Sequence, residues 1–172
     1  MRIIVAIFAV LVAEPVLAAG PFTFSSIDGG KISSVTWTGH PVLVVNTASM
    51  CGFTPQYADL QALQDKYAAQ GLIVLAIPSD DFRQELGSAK EVKAYCDLNY
   101  NLTLPMTDIS HVTGAEAVPF YQWVKAETGF EPGWNFNKIL IGPDGAILGT
   151  FGSAVSPTSA RITQQIEDAL RQ

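Results

Sequence analysis

The chain has little cysteine and little histidine: Cys51 and Cys96, His40 and His111, in 172 residues. Two cysteines cannot build a four-cysteine zinc site or the dense disulfide framework of a small secreted mini-protein. No His-x-x-x-His pair and no Cys/His cluster occurs, so the sequence predicts no metal and no other cofactor. Neither histidine stands in a motif with Ser or Cys, and both read as surface or loop residues. Charge is also scarce, at 15%, with 10 basic residues against 16 acidic and a net charge of −6. An acidic surface repels phosphate, which excludes nucleic acid as the expected partner. Repeats, low-complexity tracts and linkers are absent. What is abundant is apolar side chain, 48% of the chain. That excludes intrinsic disorder and supplies one domain's core.

Residues 1 to 19 read MRIIVAIFAVLVAEPVLAA. Arg2 is a short positive start, Ile3 to Ala13 an unbroken apolar run, and Val16-Leu17-Ala18 puts small residues before a cut after Ala18. This is the pattern of a secretory signal peptide, residues 1–18. The eleven apolar residues would span only about 16 Å of helix, against about 30 Å of hydrocarbon. An uncleaved anchor is the poorer alternative, and no stable membrane span is expected. No cysteine follows the run for lipid attachment. The mature chain, residues 19–172, is expected to be exported to a compartment where disulfides persist: the periplasm if the source is bacterial, otherwise outside the cell.

Within it, strands and helices alternate. Ile27-Asp28-Gly29-Gly30-Lys31 reads as a hairpin turn. Pro41 to Ala48 (PVLVVNTA) is a continuous run suited to a strand buried on both faces. Thr54-Pro55 predicts a helix start, with Thr54 as N-cap; Tyr57, Leu60, Leu63 and Tyr67 line its apolar face, and Gly71 stops it. Leu72 to Ile77 is a second buried strand. Ser88 to Leu98 is a helix with a capping box, Ser88 and Glu91. Glu116 to Ala126 reads as helical, with Pro119 in or before its first turn. Lys138–Ile141 and Ala146–Phe151 are strands joined by Gly142-Pro143-Asp144-Gly145. Thr158 to Leu170 closes the chain as an amphipathic helix with Ile162, Ile166 and Leu170 on one stripe. A strand-helix-strand unit followed by a hairpin and a last helix is the order of a thioredoxin-like α/β fold, a mixed central sheet flanked by helices.

Cys51 follows the first buried strand and precedes the first helix. Unpaired N–H groups and the helix dipole favour an anion there, and the thiolate is the nucleophilic form of cysteine. Gly52 would permit a tight turn and close approach by a substrate. A buried, inert structural cysteine is the alternative that spacing alone leaves open.

Asn46-Thr47-Ala48-Ser49-Met50-Cys51-Gly52-Phe53-Thr54 closely resembles the active-site signature of the glutathione peroxidase family. Trp134-Asn135-Phe136 resembles that family's WNF motif. Ile77-Pro78-Ser79-Asp80-Asp81-Phe82 with Gln84-Glu85 resembles its FPxNQF…QE segment. Cys96-Asp97-Leu98-Asn99-Tyr100, then Leu104-Pro105, resembles the segment of the resolving cysteine in its non-selenium members. The four motifs occur in family order across nearly the whole mature chain. The resemblance implies reduction of hydroperoxides, including organic and lipid hydroperoxides. Cys51 would attack the O–O bond and become a sulfenic acid. Trp134 and Asn135 would supply N–H donors to the thiolate and the leaving oxygen. Cys96 would condense with the oxidised Cys51, giving a disulfide reduced by a thioredoxin-like protein or by glutathione. A structural bridge between the two cysteines, or two unrelated thiols, are the alternatives for Cys96.

One position departs from the family. Asp81 stands where the resemblance places a donor Gln, and an ionised carboxylate cannot donate. It would be protonated, turned away, or engaged in moving a proton to the leaving oxygen. Gln84 would take the donor role if the loop, one residue short of the family's, shifts. The short Lys125–Gly133 segment resembles that of monomeric members with an open site, so a monomer is expected. Three other functions fit the same fold. A thiol–disulfide exchange protein would need a second cysteine at position 54, where this chain has Thr. A peroxide sensor would pass on a single oxidation without steady turnover, and a binding protein would have lost the chemistry.

Overall fold

The computed structural model describes residues 20–172, so the predicted signal segment and its cleavage site lie outside the described residues. Two short strands, β1 (Thr23–Ser25) and β2 (Lys31–Ser33), pair antiparallel around the predicted turn, where Gly29 and Gly30 take φ of 89° and 79°. The main sheet has β3 (Val42–Thr47), β4 (Ile73–Pro78), β5 (Lys138–Ile141) and β6 (Ile147–Phe151) in the order β4-β3-β5-β6. β3 and β4 are parallel, joined by α1 (Gln56–Tyr67); β5 runs antiparallel to β3 and to β6. The helices α2 (Ala89–Tyr100), α3 (Pro119–Thr128) and α4 (Ala160–Ala169) complete it. This is the mixed, helix-flanked sheet that the order of elements implied.

The strand alternation sorts the core into two layers. Leu43 and Val45, Val74 and Ala76, and Leu140 face one way, against Tyr57, Leu60 and Leu63 of α1, Val92 and Cys96 of α2, and Ile162 and Ile166 of α4. Val42 and Val44, Leu75 and Ile77, and Ile139 and Ile141 face the other, against Phe120 and Val124 of α3, with Phe22, Phe24 and Trp37. Each fully buried aliphatic side chain contributes roughly 1.5–3 kcal/mol, which makes this two-sided run in β3 the anchor of the site that follows it. The outer edge of β4 is covered: Ala76 N–H donates to Pro105 O, and Thr107 N–H donates to Ala76 O.

Most observed boundaries differ from expectation by a residue or two, and three differences have a clear local reason. Thr54 provides no side-chain cap; α1 begins at Gln56 after a set of tight turns through Cys51–Thr54. The third helix starts only at Pro119, because a residue before proline is pushed to extended backbone, and Val118 has ψ of 151°. α2 runs on to Tyr100 and stops at Asn101, which takes the left-handed φ of 49°. Ser88 caps α2 as predicted, accepting from Glu91 N at 3.3 Å, and its hydroxyl donates to Glu91 Oε2 at 2.9 Å.

Candidate active site

Cys51 lies on the turn between β3 and α1, 4% exposed, with its sulfur accepting from Phe53 N–H at 3.4 Å. The turn is fixed from the far side of the parallel pair. Ser79 N–H donates to Thr47 O, Met50 N–H to Gln84 O at 2.8 Å, and Ser49 N–H to Glu85 Oε1 at 3.0 Å. Gly52 is not among the residues with left-handed backbone, and a Cβ there would meet nothing within 4 Å. The turn therefore does not require glycine; the space beside Cys51 is open.

The Trp134-Asn135-Phe136 segment reaches the same place through Asn46. The buried Asn46 side chain donates to Trp134 O at 2.9 Å and accepts from Asn137 N–H at 3.0 Å, and its backbone carbonyl accepts from Phe136 N–H at 2.6 Å. Phe136 adopts φ of 60°, and its ring packs edge-on to Tyr57 at 5.2 Å. A left-handed non-glycine residue costs roughly 1–2 kcal/mol, and this network of bonds holds it there. Asn135 is fully buried: its NH₂ donates to Gln84 Oε1 at 3.0 Å, its carbonyl accepts from Ser153 Oγ at 2.6 Å, and its Oδ1 has no partner within the protein. Trp134 is 42% exposed, its ring against Phe82 at 5.5 Å. Met50, beside Cys51, is 65% exposed. Gln84 thus touches both halves of the site, Met50 through its backbone and Asn135 through its amide. Arg83, at φ of 56°, makes the sharp turn that delivers it.

Asp81 is placed elsewhere. Its carboxylate, 9% exposed, accepts from His111 Nδ1 at 2.6 Å, Val112 N–H at 2.6 Å and Thr113 N–H at 3.1 Å. Burial alone would raise its pKa, but the bonds from His111, Val112 and Thr113 together outweigh burial and hold it below the ordinary carboxylate value. Of the three expectations for Asp81, this geometry is the one in which it turns away from the thiol, as an anion. His111 is 58% exposed, a surface residue as expected, but the bond to Asp81 raises its pKa. Nothing in the sequence pairs it with Asp81, because the two lie 30 residues apart and share no motif.

Cys96 is 1% exposed on the core side of α2, and both cysteines are free thiols in the same apolar cluster. Burial, above all, pushes the Cys96 thiol up to about 11, and the charges of Glu85 and Asp97 add to this. A crevice of about 100 Å³, lined by Asp28, Lys93, Cys96, Asp97, Leu102 and Met106 among others, leads from the surface to it.

The glutathione peroxidase family model matches residues 21–125. A glutathione peroxidase of Lactococcus lactis is 40% identical over 141 residues, covering 79% of this chain and 90% of that protein. The hydroperoxy fatty acid reductase gpx1 of Synechocystis is 34% identical over 150 residues, covering 79% and 87%. A glutathione peroxidase-like peroxiredoxin of Schizosaccharomyces pombe is 40% identical over 142 residues, covering 80% and 84%. Among solved structures, the apo form of Trgpx superposes with a TM-score of 0.68 at 31% identity, covering 88% of this chain and 94% of that one. A thioredoxin family protein of Chlorobium tepidum, at 20% identity and a TM-score of 0.67 over 92% and 99%, shares the fold. With the cysteine turn, the buried Asn135 and a family match across most of the chain in hand, the chain belongs to the glutathione peroxidase family.

Proposed function

We propose that the protein is a thiol-dependent peroxidase that uses two cysteines in turn. The Cys51 thiol gives up its proton and the thiolate attacks the terminal oxygen of a hydroperoxide; the O–O bond breaks, the sulfur takes the OH and is oxidised to sulfenic acid, and the leaving oxygen takes up the proton the thiol released, departing as alcohol or water. Donors aimed at the leaving oxygen lower that barrier. Trp134 and Asn135 supply N–H groups, with Gln84 holding Asn135. The Cys96 thiol then condenses with the sulfenic acid, releasing water, and an external dithiol reduces the disulfide. The observation that carries this reading is the double contact of Gln84, to the Met50 backbone beside Cys51 and to the buried Asn135 amide. It makes one constellation of segments far apart in sequence.

The exposed Met50 and Trp134, with open space at Gly52, favour organic and fatty-acyl hydroperoxides as well as hydrogen peroxide. The relatives' names point the same way, to fatty acid hydroperoxides and to peroxiredoxin-like turnover. The reductant in this reading is an exported thioredoxin-like protein, with glutathione the alternative, and the enzyme acts as a monomer after export. No helix among the described residues is long and apolar enough to cross a membrane. The test is steady-state turnover of a fatty-acid hydroperoxide with a reduced thioredoxin-like protein. It is paired with mass spectrometry after one equivalent of peroxide. Cys51→Ser should abolish turnover, and Cys96→Ser should stop at the sulfenic acid. A single stoichiometric oxidation without turnover would make the protein a sensor instead.

A further inference from the structure

Glu85 has no part in the peroxide-reducing set, yet its carboxylate joins the two cysteine-bearing segments. Oε1 accepts from Ser49 N–H at 3.0 Å, two residues before Cys51, and from Leu86 N–H at 2.8 Å, in the segment that leads into α2. Its own backbone N–H donates to Asp80 Oδ1 at 3.0 Å. Oε2 is shut off from solvent and has no hydrogen-bond partner within the protein, and the same is true of the hydroxyls of Thr47, Ser49 and Tyr57. Tyr57 faces this region from α1 and Cys96 from α2, and the Glu85 charge opposes ionisation of both. Asp80 is the other charge facing Glu85, while Asp97 and Lys93 face Cys96 from its own helix.

We propose that Glu85 is a positioning residue for disulfide formation: its carboxylate latches the Cys51 turn to the segment entering α2 and slows the approach of Cys96 to oxidised Cys51 until the latch opens. This rests on the reading of Cys96 as the thiol that condenses with oxidised Cys51. In that step the S–H bond of Cys96 and the S–O bond of Cys51 break and an S–S bond forms. The Cys96 sulfur is oxidised and the Cys51 sulfur reduced, and the thiol proton leaves with the hydroxide as water. An S–S bond of about 2.05 Å would fix the turn and the helix in one geometry, and the Glu85 tie constrains the approach of the same two segments. A hydrogen bond to an ionised carboxylate is about twice as strong as one to a neutral acceptor, so protonating Glu85 loosens the tie and removes the charge that opposes the Cys96 thiolate. Burial, the largest influence on Glu85, raises its pKa from the ordinary carboxylate value, against the opposing bonds from Ser49 and Leu86.

The experiment follows both steps after rapid mixing of the full-length mature protein with one equivalent of hydrogen peroxide. Samples are quenched by thiol alkylation and resolved by mass into thiol, sulfenic acid and disulfide. E85Q keeps an oxygen for Ser49 N–H but carries no charge. At pH 7 its disulfide step is expected to be about three- to tenfold faster, the effect of replacing charge-assisted bonds to Ser49 and Leu86 with weaker neutral ones. In the wild type the rate rises with pH as Cys96 ionises. It falls less steeply than the thiolate fraction below the Glu85 pKa, where the latch opens. E85D, which keeps the charge, retains that break in the profile and E85Q loses it. An unchanged or slower disulfide step in E85Q, or a break that persists in it, overturns the proposal. A wild type that forms no Cys51–Cys96 disulfide overturns the reading of Cys96 as well. The two failures are thus distinguished by whether the wild-type disulfide appears.

Discussion

Replacing Asp81 by Asn tests whether this carboxylate belongs to the scaffold. Asp81 takes three donors on two oxygens, Val112 N–H, Thr113 N–H and the His111 ring, and it is nearly buried. Asn has one acceptor oxygen and turns an NH₂ toward the remaining donors. Hydrogen bonds to a charged group contribute roughly 1.5–3 kcal/mol each and neutral ones roughly 0.5–1.5, so the two backbone bonds alone put the loss at about 2–3 kcal/mol. The His111 contact adds little, since that ring is largely in water. For a domain of this size the melting temperature should fall by about 5–10 °C. The pH dependence has a defined sign. The folded Asp81 pKa is lowered, so its contribution is present above the unfolded value near 3.9 and is lost as pH falls through the folded one. The folded His111 pKa is raised, so its contribution is complete below about 6.5 and is lost as pH rises through the folded value. The gap in melting temperature between wild type and D81N is therefore widest between about pH 4 and 6.5. It narrows slightly above that window and closes in acid. Differential scanning fluorimetry across pH 3 to 9 measures it. A gap that is absent at pH 5.5, or that does not shrink toward pH 3, refutes the argument.

Three further outcomes follow from the site's framework. N46A removes the side-chain bonds to Trp134 O and Asn137 N–H and should cost about 2–4 kcal/mol in urea unfolding, with a slower Cys51 oxidation because the donor loop is no longer held. W134F keeps a ring for Phe82 but loses the indole N–H; the second-order rate of Cys51 oxidation should fall about 10²-fold with little change in melting temperature, and an unchanged rate would remove Trp134 from the donor set. Lys138 is fully buried, donates to Val155 O at 2.6 Å and has its pKa lowered to about 8, chiefly by burial. The unfolded chain binds that proton more tightly, so wild-type stability should gain on that of K138M as pH rises from about 8 to about 10 in urea titrations.

What could be read from the sequence was what neighbouring residues encode. The apolar run of β3 and the Ser88–Glu91 cap each act within a few residues and stand in the structure where the sequence placed them, while Gly71, with left-handed backbone, ends the 3-10 turn that follows α1 rather than α1 itself. The misread boundaries, at Thr54 and before Pro119, are places where a proline and its predecessor compete with helix signals of similar strength. The polar links of the site are of another kind. Asn135 meets Gln84 across 51 residues, and Ser49 meets Glu85 across 36. No periodicity encodes such pairs; sheet order does. Antiparallel pairing sets Val45 opposite Lys138, which puts Asn46 and Asn137 next in register just beyond the end of β5. That is where Asn46 takes hold of the donor loop. Parallel pairing sets Thr47 opposite Pro78, so the chain leaving β4 has to pass the Cys51 turn, and residues 80–85 become its neighbours. Once β3 lies between β4 and β5, therefore, both partner segments of the cysteine turn follow from register alone. Asp81 was open to three readings in the sequence, and the one that stands, turned away from the thiol, is selected by donors from His111, Val112 and Thr113, 30 to 32 residues away, which no local motif encodes.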